Sequence, residues 1–347
     1  MSEKKAFRRL LGYLAGALMS VAIIIFCIDP FYHYHDAWFG LPVVLENAVY
    51  QTPGAARNFE YDSVIIGSSM TENFHAKWFD EAMGWNTLKL SYSAASTNDL
   101  KAILEQVFSR EESPKNIVLD INDYQLTVDP EAMYVKRPEY LYDHNIFTDL
   151  SYIYNQDVFL TAVKRVTDKV MGRQSNLDDA YTWEAEEYFG VDKALGAERG
   201  LRAELEQSIK TKPTIEICDA NLDNILPFIK AHPETTFYVF YPPYSMLYWE
   251  REILIGRLED ILAVYGRSME RLFEYDNVKV FYFQNEKELI SNLENYRDSA
   301  HFSPEYNKYI CDCIAIGKRQ IDKECYQEQL ADMYEYAISF EYSILWE

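Results

Sequence analysis

Positive charge is scarce in this chain. Lys and Arg number 33 against 55 Asp and Glu, and the 347 residues carry a net charge of −22. Such a balance repels phosphate backbones and excludes nucleic acid as a partner. Cysteine is scarce as well. Cys27, Cys218, Cys311, Cys313 and Cys325 have neither the spacing of a disulfide framework nor that of zinc-ligand pairs. A single bridge among Cys218, Cys311, Cys313 and Cys325 is left open. Internal repeats and low-complexity tracts are missing. With 48% hydrophobic and 25% charged residues, the composition is that of a folded protein, not a disordered one.

The shortage of cations breaks at the start, where Lys4, Lys5, Arg8 and Arg9 outweigh Glu3. An uncharged run from Leu10 to Ile28 follows. At about 1.5 Å per residue it spans roughly 28 Å, close to a bilayer core of about 30 Å. A cleaved signal peptide wants small residues before the cut, and this run ends Ile-Phe-Cys-Ile-Asp-Pro. A lipid anchor on Cys27 wants a small residue before it, and Phe26 is bulky. An uncleaved single-pass anchor is therefore expected over residues 1–28. The flanking cations place the N-terminus in the cytoplasm and the acidic remainder outside.

Asp29-Pro30 stops the helix. Residues 29–60 are aromatic and irregular and read as a juxtamembrane connector. Five short apolar runs then have strand character: Ser63–Ile66, Thr87–Leu90, Asn116–Ile121, Thr236–Tyr241 and Val278–Phe283. They are nearly continuous, as for strands buried on both faces. Leu100, Ile103, Leu104, Val107 and Phe108 share one helix face. Leu254, Leu258, Ile261, Leu262, Tyr265, Met269 and Leu272 share another, and residues 307–318 form a last helix. Strands alternating with helices predict an α/β domain with a parallel sheet over residues 61–322. Residues 124–213 interrupt it, with aromatic stretches and a charged helical part. So long an insertion reads as a lid or as a decoration without function. Residues 323–347 form an acidic tail.

Four blocks could carry chemistry. Gly67-Ser68-Ser69 follows the first strand, where Ser69 would sit near a helix N-terminus whose free N–H groups favour an oxyanion. Alone, the block is as well a turn with a helix cap. Ser91 to Ser96 follow the second strand, and small residues there let backbone N–H groups approach a ligand. Asp120-Ile121-Asn122-Asp123 closes the third. An Asn amide there can donate to an oxyanion, and losing such a donor costs about 2.7–4 kcal/mol of barrier; the bland reading is a cap. Asp298-Ser299-Ala300-His301 follows the fifth. A serine nucleophile needs a base and the base an orienting carboxylate, which Asp and His three apart can supply. The alternating pair His33 and His35 invites a metal, but no carboxylate or cysteine spacing supports one.

In order and placement the four blocks resemble the SGNH (GDSL-like) hydrolase family over roughly residues 60–125 and 235–320. That family has a serine after the first strand, a glycine after the second, an asparagine after the third and Asp-x-x-His near the C-terminus. The resemblance implies a flavodoxin-like, five-stranded parallel sheet with helices on both faces. It implies Ser69 as nucleophile, His301 as general base and Asp298 as its orienter. Asn122 and the backbone N–H groups of Ser69 and Ala94 would form the oxyanion hole. Here Gly67-Ser68-Ser69 replaces Gly-Asp-Ser, and Asp120-Ile121-Asn122-Asp123 replaces Gly-x-Asn-Asp. Ala94 replaces the glycine, so a donor there needs a backbone conformation that suits alanine.

Gly-Ser-Ser behind an N-terminal anchor is similar to the membrane-anchored branch related to the D-alanyl-transfer protein of teichoic-acid modification. The implied activity is that of an extracytoplasmic serine esterase or O-acyltransferase. It would act on acyl esters of cell-surface glycans or polymers through an acyl-serine, with no cofactor and no metal. The implied location is the plasma membrane, and a membrane acyltransferase is a further expected partner. The rival expectation is a catalytically inactive module of the same fold that binds a cell-envelope polymer or a partner protein.

Overall fold

The computed structural model describes residues 3–143, 145–184, 188–205 and 212–346. They fall into two compact units: Met1–Glu60 with Lys136–Leu177, and Tyr61–Val135 with Asp178–Glu347. The stretch 124–213 is therefore not one body. Residues 136–177 belong with the anchor and connector, and the rest belongs with the sheet. Of its charged helical part, Val191–Leu205 is a helix, and residues 206–210 lie outside the described residues.

The sheet unit is α/β. Its strands are β1 (Ser63–Ile66), β2 (Thr87–Lys89), β3 (Asn116–Asp120), β4 (Thr236–Tyr241), β5 (Val278–Tyr282) and β6 (Gln320–Ile321), in the order β2-β1-β3-β4-β5-β6. The first five are parallel, with Val64 level with Leu88 and Ile117, and Ile117 level with Phe237. β6 is a sixth strand beyond the five expected, and it runs antiparallel to β5. It carries no apolar run to announce it. Arg319 and Gly317, both with positive φ, turn the chain back onto the sheet edge.

All of β1 is buried, which explains the apolar run Val64–Ile66 within it. Each such side chain contributes about 1.5–3 kcal/mol by leaving water. Helices flank the sheet. Thr97–Val107 starts in a capping box between Ser96 and Asp99 and buries Leu100, Ile103, Leu104 and Val107. Leu258–Leu272 buries the expected apolar face, but Leu254 is not part of it. Leu254 ends the preceding helix, Met246–Leu254, and is exposed, because Gly256 breaks the chain at φ +66°. The acidic tail contains a helix, Tyr326–Ser339, that buries Met333 and Ala337. The strand order reverses between β1 and β3, the point where open α/β sheets place ligands at their carboxyl ends.

The anchor unit opens with the helix Glu3–Ile28. Among the described residues it is the one helix long and apolar enough to cross a membrane, and only its Ile25 is buried. Asp29 ends it at φ +40°. The Asp29 carboxylate accepts from the N–H groups of His33 (3.0 Å), Tyr34 (2.6 Å) and His35 (3.0 Å) and from the Tyr152 hydroxyl (2.6 Å). Burial nevertheless holds its pKa above the ordinary carboxylate value. Ile25, Phe31, Leu141, Tyr152, Val158 and Ala162 form the core of this unit. His33 and His35 serve its architecture: His33 lies between Asp149 and Arg57, and His35 bonds the backbone at Phe26 and Asp36. All five cysteines are free thiols.

Candidate active site

β1 delivers the chain to Gly67, which leads into a one-turn helix, Ser69–Glu72. Gly67 is required for space. A Cβ on it would sit 2.1 Å from Asp120 Oδ1 and 2.7 Å from the Thr71 side chain. The end of β3 is thus pressed against the serine turn. Asp120 is fully buried and accepts from the Ser68 N–H, the Ser68 hydroxyl and the Asn122 amide, each at 2.7 Å. Burial still raises its pKa above the ordinary carboxylate value.

This network separates the two adjacent serines. Ser68 is buried, and its Oγ donates to Asp120 while accepting from Asn122 Nδ2 (3.1 Å) and the Met70 N–H (3.3 Å). Ser68 is the helix cap. Ser69 is partly exposed, and its Oγ lies 2.9 Å from His301 Nε2. His301 Nδ1 lies 2.8 Å and 3.0 Å from the two carboxylate oxygens of Asp298.

Asp298 Oδ1 also accepts from the N–H groups of Ala300 (2.9 Å) and His301 (2.7 Å). Burial opposes the charge, but bonds from the His301 ring and from these amides outweigh it, so the Asp298 pKa lies below its ordinary value. An ionised carboxylate only accepts, so Nδ1 carries the ring proton and Nε2 offers its lone pair to Ser69. This is the connectivity in which an imidazole takes a hydroxyl proton.

Three contacts hold the parts in register, and none was legible as a motif. Asn307, on the helix Pro304–Ile316 just after His301, is buried and donates to the Met70 carbonyl at 2.9 Å. It ties the histidine segment to the serine turn. The Ser299 carbonyl accepts from the Ser245 N–H and hydroxyl, each at 3.0 Å. Lys89 ends β2 fully buried and donates to the carbonyls of Glu72 (2.5 Å) and Phe74 (2.6 Å). Glu72 ends, and Phe74 follows, a helix too short to satisfy these acceptors itself. Burial pushes the Lys89 amine down to about 7, and the neutral amine retains two N–H donors for the two carbonyls.

Ser69 and His301 open on a cleft of about 410 Å³ that Ala94, Glu72, Ser93 and Trp183 also line. Ala94 adopts φ +51°, a left-handed conformation that glycine reaches more readily. The Trp183 ring meets the His301 imidazole edge-on at 5.7 Å, and the Arg297 guanidinium lies over Trp183 at 5.1 Å. Arg297 Nε is 3.5 Å from Asp298. Glu72 accepts from the Ser93 hydroxyl at 2.9 and 3.1 Å, and burial raises its pKa.

Asn122 is not among the described residues that line this cleft. Its amide is engaged by Asp120 and Ser68, and its Oδ1 caps the Gln125 N–H at 3.1 Å. Trp183 and Glu72 have no sequence signal, since neither sits at a recognisable spacing. Arg297 has one, its place beside Asp298. No protein-family model matches this chain, and no curated protein matches it, so a functional reading has only the geometry of Ser69, His301 and Asp298 to start from.

Proposed function

We propose that this protein is a membrane-anchored serine esterase or O-acyltransferase of the SGNH type. The observation that carries the reading is the chain of hydrogen bonds from Ser69 Oγ through His301 to Asp298. It lies at the carboxyl edge of a parallel sheet, beside the point where the strand order reverses. His301 accepts the Ser69 proton as Oγ attacks an ester carbonyl. The resulting imidazolium is stabilised by ionised Asp298. Collapse of the tetrahedral intermediate expels the alcohol, which takes the proton from His301, and leaves an acyl-serine. Water or a polymer hydroxyl then resolves it by the reverse proton path.

The positive φ of Ala94 supports a backbone donor at that edge of the cleft. The rings of Trp183, Tyr134 and Tyr181 offer flat apolar faces that suit the sugar of an acylated surface glycan or polymer. The apolar helix Glu3–Ile28 supports an anchor, and its leading cations support a cytoplasmic N-terminus with the site on the outer face. A membrane acyltransferase would then be a fitting donor of acyl groups.

One observation favours the rival reading, a non-catalytic module that binds an envelope polymer or partner. The Asn122 amide is already engaged, leaving one fewer donor for an oxyanion. A fluorophosphonate probe decides between them. The unmodified protein and Ser68→Ala should be labelled, and Ser69→Ala should not. Absence of labelling in the unmodified protein, or its persistence in Ser69→Ala, overturns the catalytic reading.

A further inference from the structure

The helix Gln156–Val170 of the anchor unit has two apolar faces. One consists of Val158 and Ala162, which join the core around Ile25 and Tyr152. The other consists of Phe159, Val163, Val166 and Val170, spaced at helical intervals, and all four are exposed. Leu150 on the preceding turn is exposed as well. A water-facing helix would carry polar residues there.

The segment that presents this stripe lies against the apolar helix Glu3–Ile28. The Tyr154 hydroxyl donates to the Leu18 carbonyl at 3.3 Å, and the Tyr152 hydroxyl reaches Asp29 just past the helix end. Leu18 and Ile28 are about 15 Å apart along the helix axis. Allowing for the reach of a tyrosine side chain, the backbone near Tyr154 lies below the level of Ile28. At its other end Lys169 bonds the Phe39 carbonyl, beside Trp38 and Phe26, whose rings meet edge-on at 5.9 Å. Such aromatic groups mark the membrane–water boundary. A helix of this kind lies in the interface with its apolar face about 5–10 Å into the lipid.

We infer that the stripe Phe159–Val163–Val166–Val170 is a second membrane contact, seated among the lipid acyl chains of the bilayer that Glu3–Ile28 crosses. The inference rests on the anchor reading. It makes the anchor unit a partly embedded platform with a fixed orientation to the surface, in place of a domain on a single tether. The occupant is lipid, because the segment that carries the stripe bonds the one helix, among the described residues, whose own exposed apolar surface demands lipid.

Variants Val163→Cys and Val166→Cys, made in the full chain with the partly exposed thiols removed by Cys27→Ser and Cys325→Ser and with Cys218, Cys311 and Cys313 left buried, test it in open membrane sheets. A membrane-impermeant maleimide should label neither until detergent is added. Glu111→Cys, exposed in the sheet unit, should label in both conditions. Labelling of the stripe in membranes overturns the inference, and so does failure to label in detergent, which means that protein covers it. Carbonate extraction of the unmodified chain separates the two readings. A chain that stays with the membrane while its stripe labels at once overturns the stripe contact and leaves the anchor standing. A chain that carbonate releases overturns both.

Discussion

Each unit holds a histidine between a carboxylate and a third group. In the sheet unit His301 joins Asp298 to the Ser69 hydroxyl. In the anchor unit His33 Nε2 lies 3.0 Å from Asp149, and its Nδ1 accepts from Arg57 at 3.0 Å. The carboxylate–imidazole pair is the same, and the third partner makes the difference. A guanidinium only donates and cannot be deprotonated, so it locks the imidazole in one tautomer with no proton to give up. A hydroxyl both donates and accepts. Exposure differs too: the His33 side chain is 7% exposed and the His301 side chain 29%. A carboxylate–histidine pair is therefore chemistry only where a transferable proton and an open cleft complete it.

The sharpest test exchanges the two carboxylates in turn. Asp298→Asn should cut turnover of an ester substrate about 10⁴-fold, because the amide favours the wrong imidazole tautomer. Asp149→Asn should leave turnover unchanged and lower stability by about 1–2 kcal/mol. Equal rate losses in steady-state kinetics would erase the distinction.

The second test uses two glycines that are each crowded by a neighbour. A Cβ on Gly54 would meet the Phe31 carbonyl at 2.3 Å, as one on Gly67 would meet Asp120 at 2.1 Å. Either Ala substitution should cost about 3 kcal/mol by thermal denaturation. Only Gly67→Ala should also slow turnover, since it displaces the turn that holds Ser69.

A smaller effect, of opposite sign, is expected at Ala94. Its left-handed backbone costs an alanine about 1 kcal/mol, which Ala94→Gly should return as stability with turnover retained. Destabilisation on denaturant unfolding would show that the strain is absent.

A dependence on pH is expected in both units, with the same sign but in different windows. The unfolded chain protonates Lys89 near its ordinary 10.5, whereas the folded chain does so only near about 7. Between those values the unfolded chain binds more protons, so stability rises with pH across the window. The Tm of the unmodified protein relative to Lys89→Met should rise from pH 7 to 10. In the anchor unit, Lys164 and Arg173 outweigh partial burial and hold Glu46 down to about 2. Its stabilising effect is full above its ordinary 4.5 and is lost as pH falls through about 2. Glu46→Gln should remove that acid-side loss.

Five strands were legible to within one residue because a strand buried on both faces must be apolar throughout. β6 was not, since a two-residue edge strand has no pattern to read. The division of residues 124–213 between two units was also hidden, because it depends on contacts far apart in sequence.

By itself the sequence determined the apolar N-terminal helix, the α/β alternation and the positions of Ser69, Asp298 and His301 after their strands. Periodicity and turn chemistry act over a few residues and leave their mark in order. Only the tertiary structure decided which of two neighbouring serines meets the histidine, because Asp120 must arrive from another strand to claim Ser68. Only it gave Lys89, Glu72, Trp183 and Asn307 their places around Ser69. Burial and charge pairing depend on distance in space, and no local spacing encodes them.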